Sequence, residues 1–254
     1  MTRIAAVAAN TFRETVRERA LYTLVFFAML MILAGLLLGQ LSIRQDEKII
    51  KDIGLASIDL LGTAIALIMG VGLVSKEIER RSLYPLLAKP LTRSEFFLGK
   101  FAGLALTLLV NVSAMSAGLY LTLLATRQPA NLALLGGVVP LYFGLLLVVA
   151  LAMLFSTVTS STLSAVCTMG LALAGRYSDV IRNIREVAPA APRILVDGLY
   201  FALPNFHNFD FKTRVAYGEA VPLEILSWVA IYALLYLTVV LGLGLAIFRT
   251  RDLQ

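Results

Sequence analysis

Charge is what this sequence has little of: 15% of its 254 residues are Asp, Glu, Lys or Arg, against 59% hydrophobic. A soluble domain carries about a quarter charged residues, so the composition argues for an integral membrane protein. Cysteine is nearly absent. Cys167 stands alone inside an apolar run, which excludes a disulfide framework within the chain and any Cys/His zinc spacing. His207 is the one histidine, set in Pro204-Asn205-Phe206-His207-Asn208-Phe209-Asp210, and without visible partners it reads as an interfacial residue among aromatics. No GxSxG elbow and no HExxH occurs. A phosphate-cradling GxxxxGK[ST] loop is missing too, because Ser94 stands five residues before Gly99-Lys100 where that loop needs glycine. Basic residues are not interleaved with aromatics, so the net charge of +6 suits anionic lipid headgroups better than nucleic acid.

What is present is a series of long apolar runs, and such runs span a bilayer as helices because no water satisfies backbone groups there. Six spans are expected, roughly Ala20–Leu41, Leu55–Ser75, Ala102–Ala125, Leu134–Phe155, Thr157–Gly175 and Ile225–Phe248. Ser42–Gly54 and Thr126–Asn131 read as short polar links. In front of the first span, Thr2–Arg19 is an amphipathic helix: Ile4, Val7, Ala8, Phe12 and Val16 share one face, and its mixed charge suits an interfacial helix better than a signal peptide. Gly35 and Gly39 allow close helix contact. Residues 176–223 form the long extramembrane region, with a short amphipathic helix near Val180–Val187. Ile194–Leu203 is too short to span, so re-entrant or interfacial packing suits it. The chain thus divides into residues 1–19, an amphipathic connecting helix, and 20–254, an all-α six-span domain. With both termini on the inner side, twelve of the 22 basic residues lie inside, so the positive-inside rule leans that way without deciding.

Polar residues within the spans are few. Asp59 in the second span and Asn111 in the third are the candidates for a pathway, although Asp59 lies near enough to an interface to be solvated. Asn111 suits a bond between helices. Six methionines in the spans form no cluster and read as adaptable packing. So sparse an inventory lacks the relay of a proton- or sodium-coupled carrier.

Charge concentrates in Ser75–Phe101, which holds six basic residues (Lys76, Arg80, Arg81, Lys89, Arg93, Lys100) and three acids (Glu77, Glu79, Glu95). Locally, Lys76–Leu87 suits a short helix with Leu83, Leu86 and Leu87 on one side. Lys89-Pro90 breaks it, and Thr92-Arg93-Ser94-Glu95 spells a capping box that opens the third span. A Leu/Tyr face, a proline and a cap together suit a docking helix better than a solvated loop.

The run from Glu77-Ile-Glu79-Arg80-Arg81 through Lys89-Pro90-Leu-Thr-Arg93 to Gly99-Lys100 resembles the cytosolic signature of ABC-2 type transporter permeases. The tail Phe248-Arg249-Thr250-Arg251-Asp252-Leu253 resembles that family's ending, and Leu203-Pro204-Asn205-Phe206 resembles a segment found before the last span in one branch. The resemblance implies a permease subunit of an ATP-driven exporter that is not itself an ATPase and holds no cofactor. ATP would be bound by two copies of a separate ABC subunit, and a second permease copy would complete a homodimer or heterodimer. Residues 77–88 would be the coupling helix, with Glu77, Glu79, Arg80, Arg81, Leu83 and Tyr84 docking on the ATPase and Lys89, Pro90 and Arg93 forming a hinge. Both termini would be cytoplasmic, in the inner membrane of a bacterium, and a periplasmic protein could meet residues 176–223. Two alternatives stay open: a scaffold that passes ATP-driven motion to a periplasmic maturation or motility partner without translocation, and a channel or secondary carrier that needs no ATPase.

Overall fold

The computed structural model describes residues 3–40, 46–79, 92–129, 131–178 and 203–250. Among them the elements are helical: α1 (Arg3–Val16), α2 (Arg19–Gln40), α3 (Asp46–Glu79), α4 (Arg93–Ala125), α5 (Leu135–Val158), α6 (Ser161–Arg176), α7 (Lys212–Ala216) and α8 (Leu223–Thr250), with single 3-10 turns at Leu132–Leu134 and Phe206–Phe209. Five of these, α2, α3, α4, α5 and α8, are long and apolar enough to cross a membrane. The expected fifth span is α6, whose 16 residues rise about 24 Å, short of a hydrocarbon core of about 30 Å.

Helix α5 is the axis of the bundle. Its residues are apolar all round, and Leu145 through Met153 are all buried, as expected of a helix surrounded by others. It packs against α3, α4, α6 and α8. Those neighbours divide their surfaces. On α8, Val229, Ala233, Leu237, Val240, Gly244 and Phe248 are buried at helical spacing, while Trp228, Leu234, Leu235, Val239 and Leu243 are exposed. On α6 the inward stripe is small: Ser164, Thr168, Ala172 and Gly175. Small residues let helices approach where lipid offers no hydrophobic drive, and the large ones (Leu163, Val166, Leu173) face outward. Apolar side chains both inside and outside the bundle are what a bilayer selects.

Two expectations need adjusting. Helix α3 begins at Asp46, so most of the stretch expected as a polar link is helical. Asp46 and Glu47 sit in its first turn, where acids favour the helix dipole. Glu47 also pairs with Lys51 one turn on, which lets the Lys51 side chain be buried. Gly35 and Gly39 do face α3, at ordinary contact distances of 3.5 and 3.4 Å from Ile53 and Ile50 for an added Cβ. The tighter approach is elsewhere. A Cβ on Gly99 would fall 2.7 Å from Val7, and one on Gly103 would fall 2.6 Å from Thr11 and 2.7 Å from the Ala8 carbonyl. Helix α1 therefore runs alongside the first turns of α4 and buries Ala8, Thr11 and Thr15 there, while Ile4 is exposed.

Candidate functional site

Two regions of the bundle bring polar residues together, one at each end.

The first is the end from which α4 starts. Thr92 forms the expected capping box: its hydroxyl accepts from the Glu95 N–H at 3.2 Å, and its own N–H donates to the Glu95 carboxylate at 2.9 Å. The cap fixes the direction in which α4 leaves the preceding segment. Arg93, next in sequence, turns to α8 and donates to the carbonyls of Phe248 (3.4 Å) and Arg249 (3.0 Å). Carbonyls at a helix C-terminus lack partners within the helix, so a cation suits them twice over, as donor and as dipole partner. Arg249 answers by donating to the Ser94 hydroxyl at 3.2 Å. Phe248 lies against both Phe96 and Phe97, ring centroids 6.3 and 5.8 Å away. On the other flank Lys100, its side chain buried, pairs with Glu14 of α1 at 3.7 Å. Helices α1, α4 and α8 are thus clasped at one end of the bundle, which brings the described ends of the chain to that same end.

Of the residues expected to dock a partner, Glu77 and Glu79 fall in the last turns of α3. Arg80, Arg81, Leu83, Tyr84, Lys89 and Pro90 lie outside the described residues, as do positions 179–202 with the amphipathic helix expected there and most of Ile194–Leu203. Arg93 is the expected hinge residue that the structure describes, and it is one of several ties between α4 and α8.

The second region lies towards the opposite end and is built around Asp59. The Arg176 guanidinium, at the end of the short α6, grips the Asp59 carboxylate with both arms, at 2.7 and 2.5 Å. Lys212 Nζ, at the start of α7, adds a third bond at 2.6 Å. Arg176 also donates to Thr63 at 3.0 Å, and Lys212 pairs with Asp210 at 3.3 Å. Asp59 is therefore neither solvated nor alone: its side chain is 12% exposed and held by two cations. A buried carboxylate needs that partnership, because an isolated ion in low dielectric costs several kcal/mol.

Asn205 anchors the turn that completes this region. Its side-chain oxygen accepts from Ser178 (2.8 Å) and from the His207 N–H (3.0 Å), and its own N–H donates to the Tyr232 hydroxyl of α8 (2.9 Å). Gly175 lies against the Pro204 carbonyl, where no side chain would fit. His207 itself is exposed, while Phe206 and Phe209 of the same turn are buried. Together these elements line an open cavity of about 320 Å³. Its polar wall is Asp59, Arg176, His207, Asp210 and Lys212, and its apolar wall includes Leu141, Leu145 and Val148 of α5 and Leu173 of α6.

Asn111 is not part of it. The Asn111 Nδ2 and Ser116 Oγ on α4 are buried without a hydrogen-bond partner among the described residues, so the interhelical bond expected of Asn111 is not formed there. Sequence alone does not mark Arg176 and Lys212 as partners of Asp59, because they lie 117 and 153 residues away. The signal it does carry is the acid itself, since a carboxylate within a span calls for a cation.

Residues 5–175, about two thirds of the chain, match the family described as ABC-2 family transporter protein. The chain belongs to that family. No curated protein matches it. Membership accounts for the pattern already described: a helical membrane subunit with several spans and a charged segment between two of them. ABC-2 permeases work in general with an ATP-binding partner, and neither a nucleotide loop nor, among the described residues, a cluster able to hold a metal is present in this chain.

Proposed function

We propose that this ABC-2 permease couples ATP hydrolysis by two copies of a separate subunit to export of a substrate, with a second permease copy completing the pathway. It would sit in a bacterial inner membrane with the clasped end cytoplasmic. The observation that carries the reading is the clasp. Residues 80–91 leave from the end of α3 and return at Thr92, whose capping box opens a helix bonded to α8 and packed on α1. A push on that segment would reach α4 directly, and α1 and α8 through contacts too close to absorb it. Glu77, Glu79, Arg80, Arg81, Leu83 and Tyr84 would seat it on the ATPase, Lys89 and Pro90 would give it a hinge, and Arg93 would pass the displacement to α8.

Reversing charge at the proposed contact, Glu79→Lys with Arg80→Glu, tests this. The double variant should insert and fold as the parent does yet lose the partner's stimulated ATPase activity. Unchanged partner binding and unchanged stimulation would overturn the docking role.

A further inference from the structure

The Asp59 cavity has the features of a ligand site, and its charge and shape restrict what it takes. Two cations (Arg176, Lys212) and two carboxylates (Asp59, Asp210) line it, so with His207 neutral its formal charge is zero. Some of its donors have no acceptor among the described residues. A guanidinium has five N–H groups, and among the described residues Arg176 makes three hydrogen bonds, two to Asp59 and one to Thr63. An ammonium has three, and Lys212 Nζ serves two carboxylates. Asp59 accepts three bonds from these cations, on both of its oxygens, whereas Asp210, 44% exposed, pairs with Lys212 alone among the described residues. Cationic donors and a half-exposed carboxylate therefore border one space.

The opposite wall is apolar and directional. Leu141, Leu145 and Val148 recur at i, i+4 and i+7 along one face of α5, spanning about 10 Å of its axis. Leu173 and Tyr177, also on the wall, are exposed at 49% and 65%, so the wall reaches the outer surface of the described bundle. Its volume of about 320 Å³ is at the lower end of the range for sites that hold small ligands, about 300–1,000 Å³.

We propose that this cavity binds a zwitterionic amphiphile, with its phosphate at Arg176 and Lys212, its ammonium at Asp210, and its apolar chain along Leu141, Leu145 and Val148. A net anion would bring uncompensated charge into a neutral, partly buried cluster. A wholly apolar molecule would leave the spare donors unanswered. Binding of this kind needs neither ATP nor a partner, so its test is independent of the permease reading.

The test is native mass spectrometry of the full-length protein in detergent, titrated with dioctanoyl phosphatidylethanolamine, dioctanoyl phosphatidylglycerol, or the free head group glycerophosphoethanolamine. The expected result is one phosphatidylethanolamine per chain, held about tenfold more tightly than phosphatidylglycerol, with the free head group weaker still. Asp210→Asn leaves every bond to Asp59 in place and makes the cluster net positive, so it should reverse the preference in favour of phosphatidylglycerol. Leu173→Trp, which fills the wall at the outer surface, should abolish binding while the unfolding temperature holds. Equal binding of both lipids, with neither variant changing it, would overturn the proposal. So would a free head group that binds as tightly as the intact lipid, since the apolar wall would then contribute nothing.

Discussion

Two arginines at opposite ends of the bundle tie helices together by different means. Arg93 reaches main-chain carbonyls of α8 at a surface where water competes, beside an aromatic contact and a helix pair held by small residues. Arg176 grips a carboxylate that is nearly buried and shared with Lys212. The first tie is one of several contacts, each modest, so the clasp is redundant and behaves as a unit. The second concentrates its energy in one charge cluster, so it holds firmly until a partner group is lost or another ion competes. A structure that must pass a displacement along needs the first kind of joint. One that must bind and release something needs the second.

The two ties differ most visibly at Asp59. Asp59→Ala leaves Arg176 and Lys212 without their shared carboxylate, and removing one partner of a buried ion pair costs about 3–5 kcal/mol. Thermal unfolding in detergent should show this as the largest loss in the series, with Arg176→Met close behind. Next comes Gly103→Leu. Its Cβ would fall 2.7 Å from the Ala8 carbonyl, which cannot move without α1, so the pair should separate at about 1–3 kcal/mol. Limited proteolysis of α1 reads that separation directly. Arg93→Ala should cost about 1–2 kcal/mol, and its clearer signature is a wider distance distribution between spin labels on α4 and α8. Smallest is Thr92→Ala, which removes the cap for about 1 kcal/mol and should fray the first turn of α4 in hydrogen exchange. An Arg93→Ala change larger than that of Asp59→Ala would reverse the ranking and deny the redundancy of the clasp.

How much of this is legible in the sequence follows the range of each interaction. Thr92 and Glu95 lie three residues apart, so the capping box can be named from the sequence and is formed as named. The apolar runs mark α2, α4, α5 and α8 closely. Their ends are less visible: α3 starts in a charged stretch whose helix is stabilised by Asp46, Glu47 and the pairing of Glu47 with Lys51, none of which an apolar pattern registers. The Asp59 cluster is out of reach, because Asp59, Arg176 and Lys212 meet only once α3, α6 and α7 are packed. The glycine pair that matters most for close approach, Gly99 and Gly103, is legible only as far as Gly99 in a motif, since its partners on α1 include alanine and threonine rather than a large apolar face.

In the proposed function an ATPase drives this ABC-2 permease through its clasped end. The most direct measurement is purification of the tagged chain from its native membrane in mild detergent, with mass spectrometry of what accompanies it. The expected result is a stoichiometric protein carrying a phosphate-cradling nucleotide loop, lost when Glu79→Lys and Arg80→Glu are combined. Recovery of the chain alone as a stable oligomer, active in liposomes with no ATPase present, would contradict it.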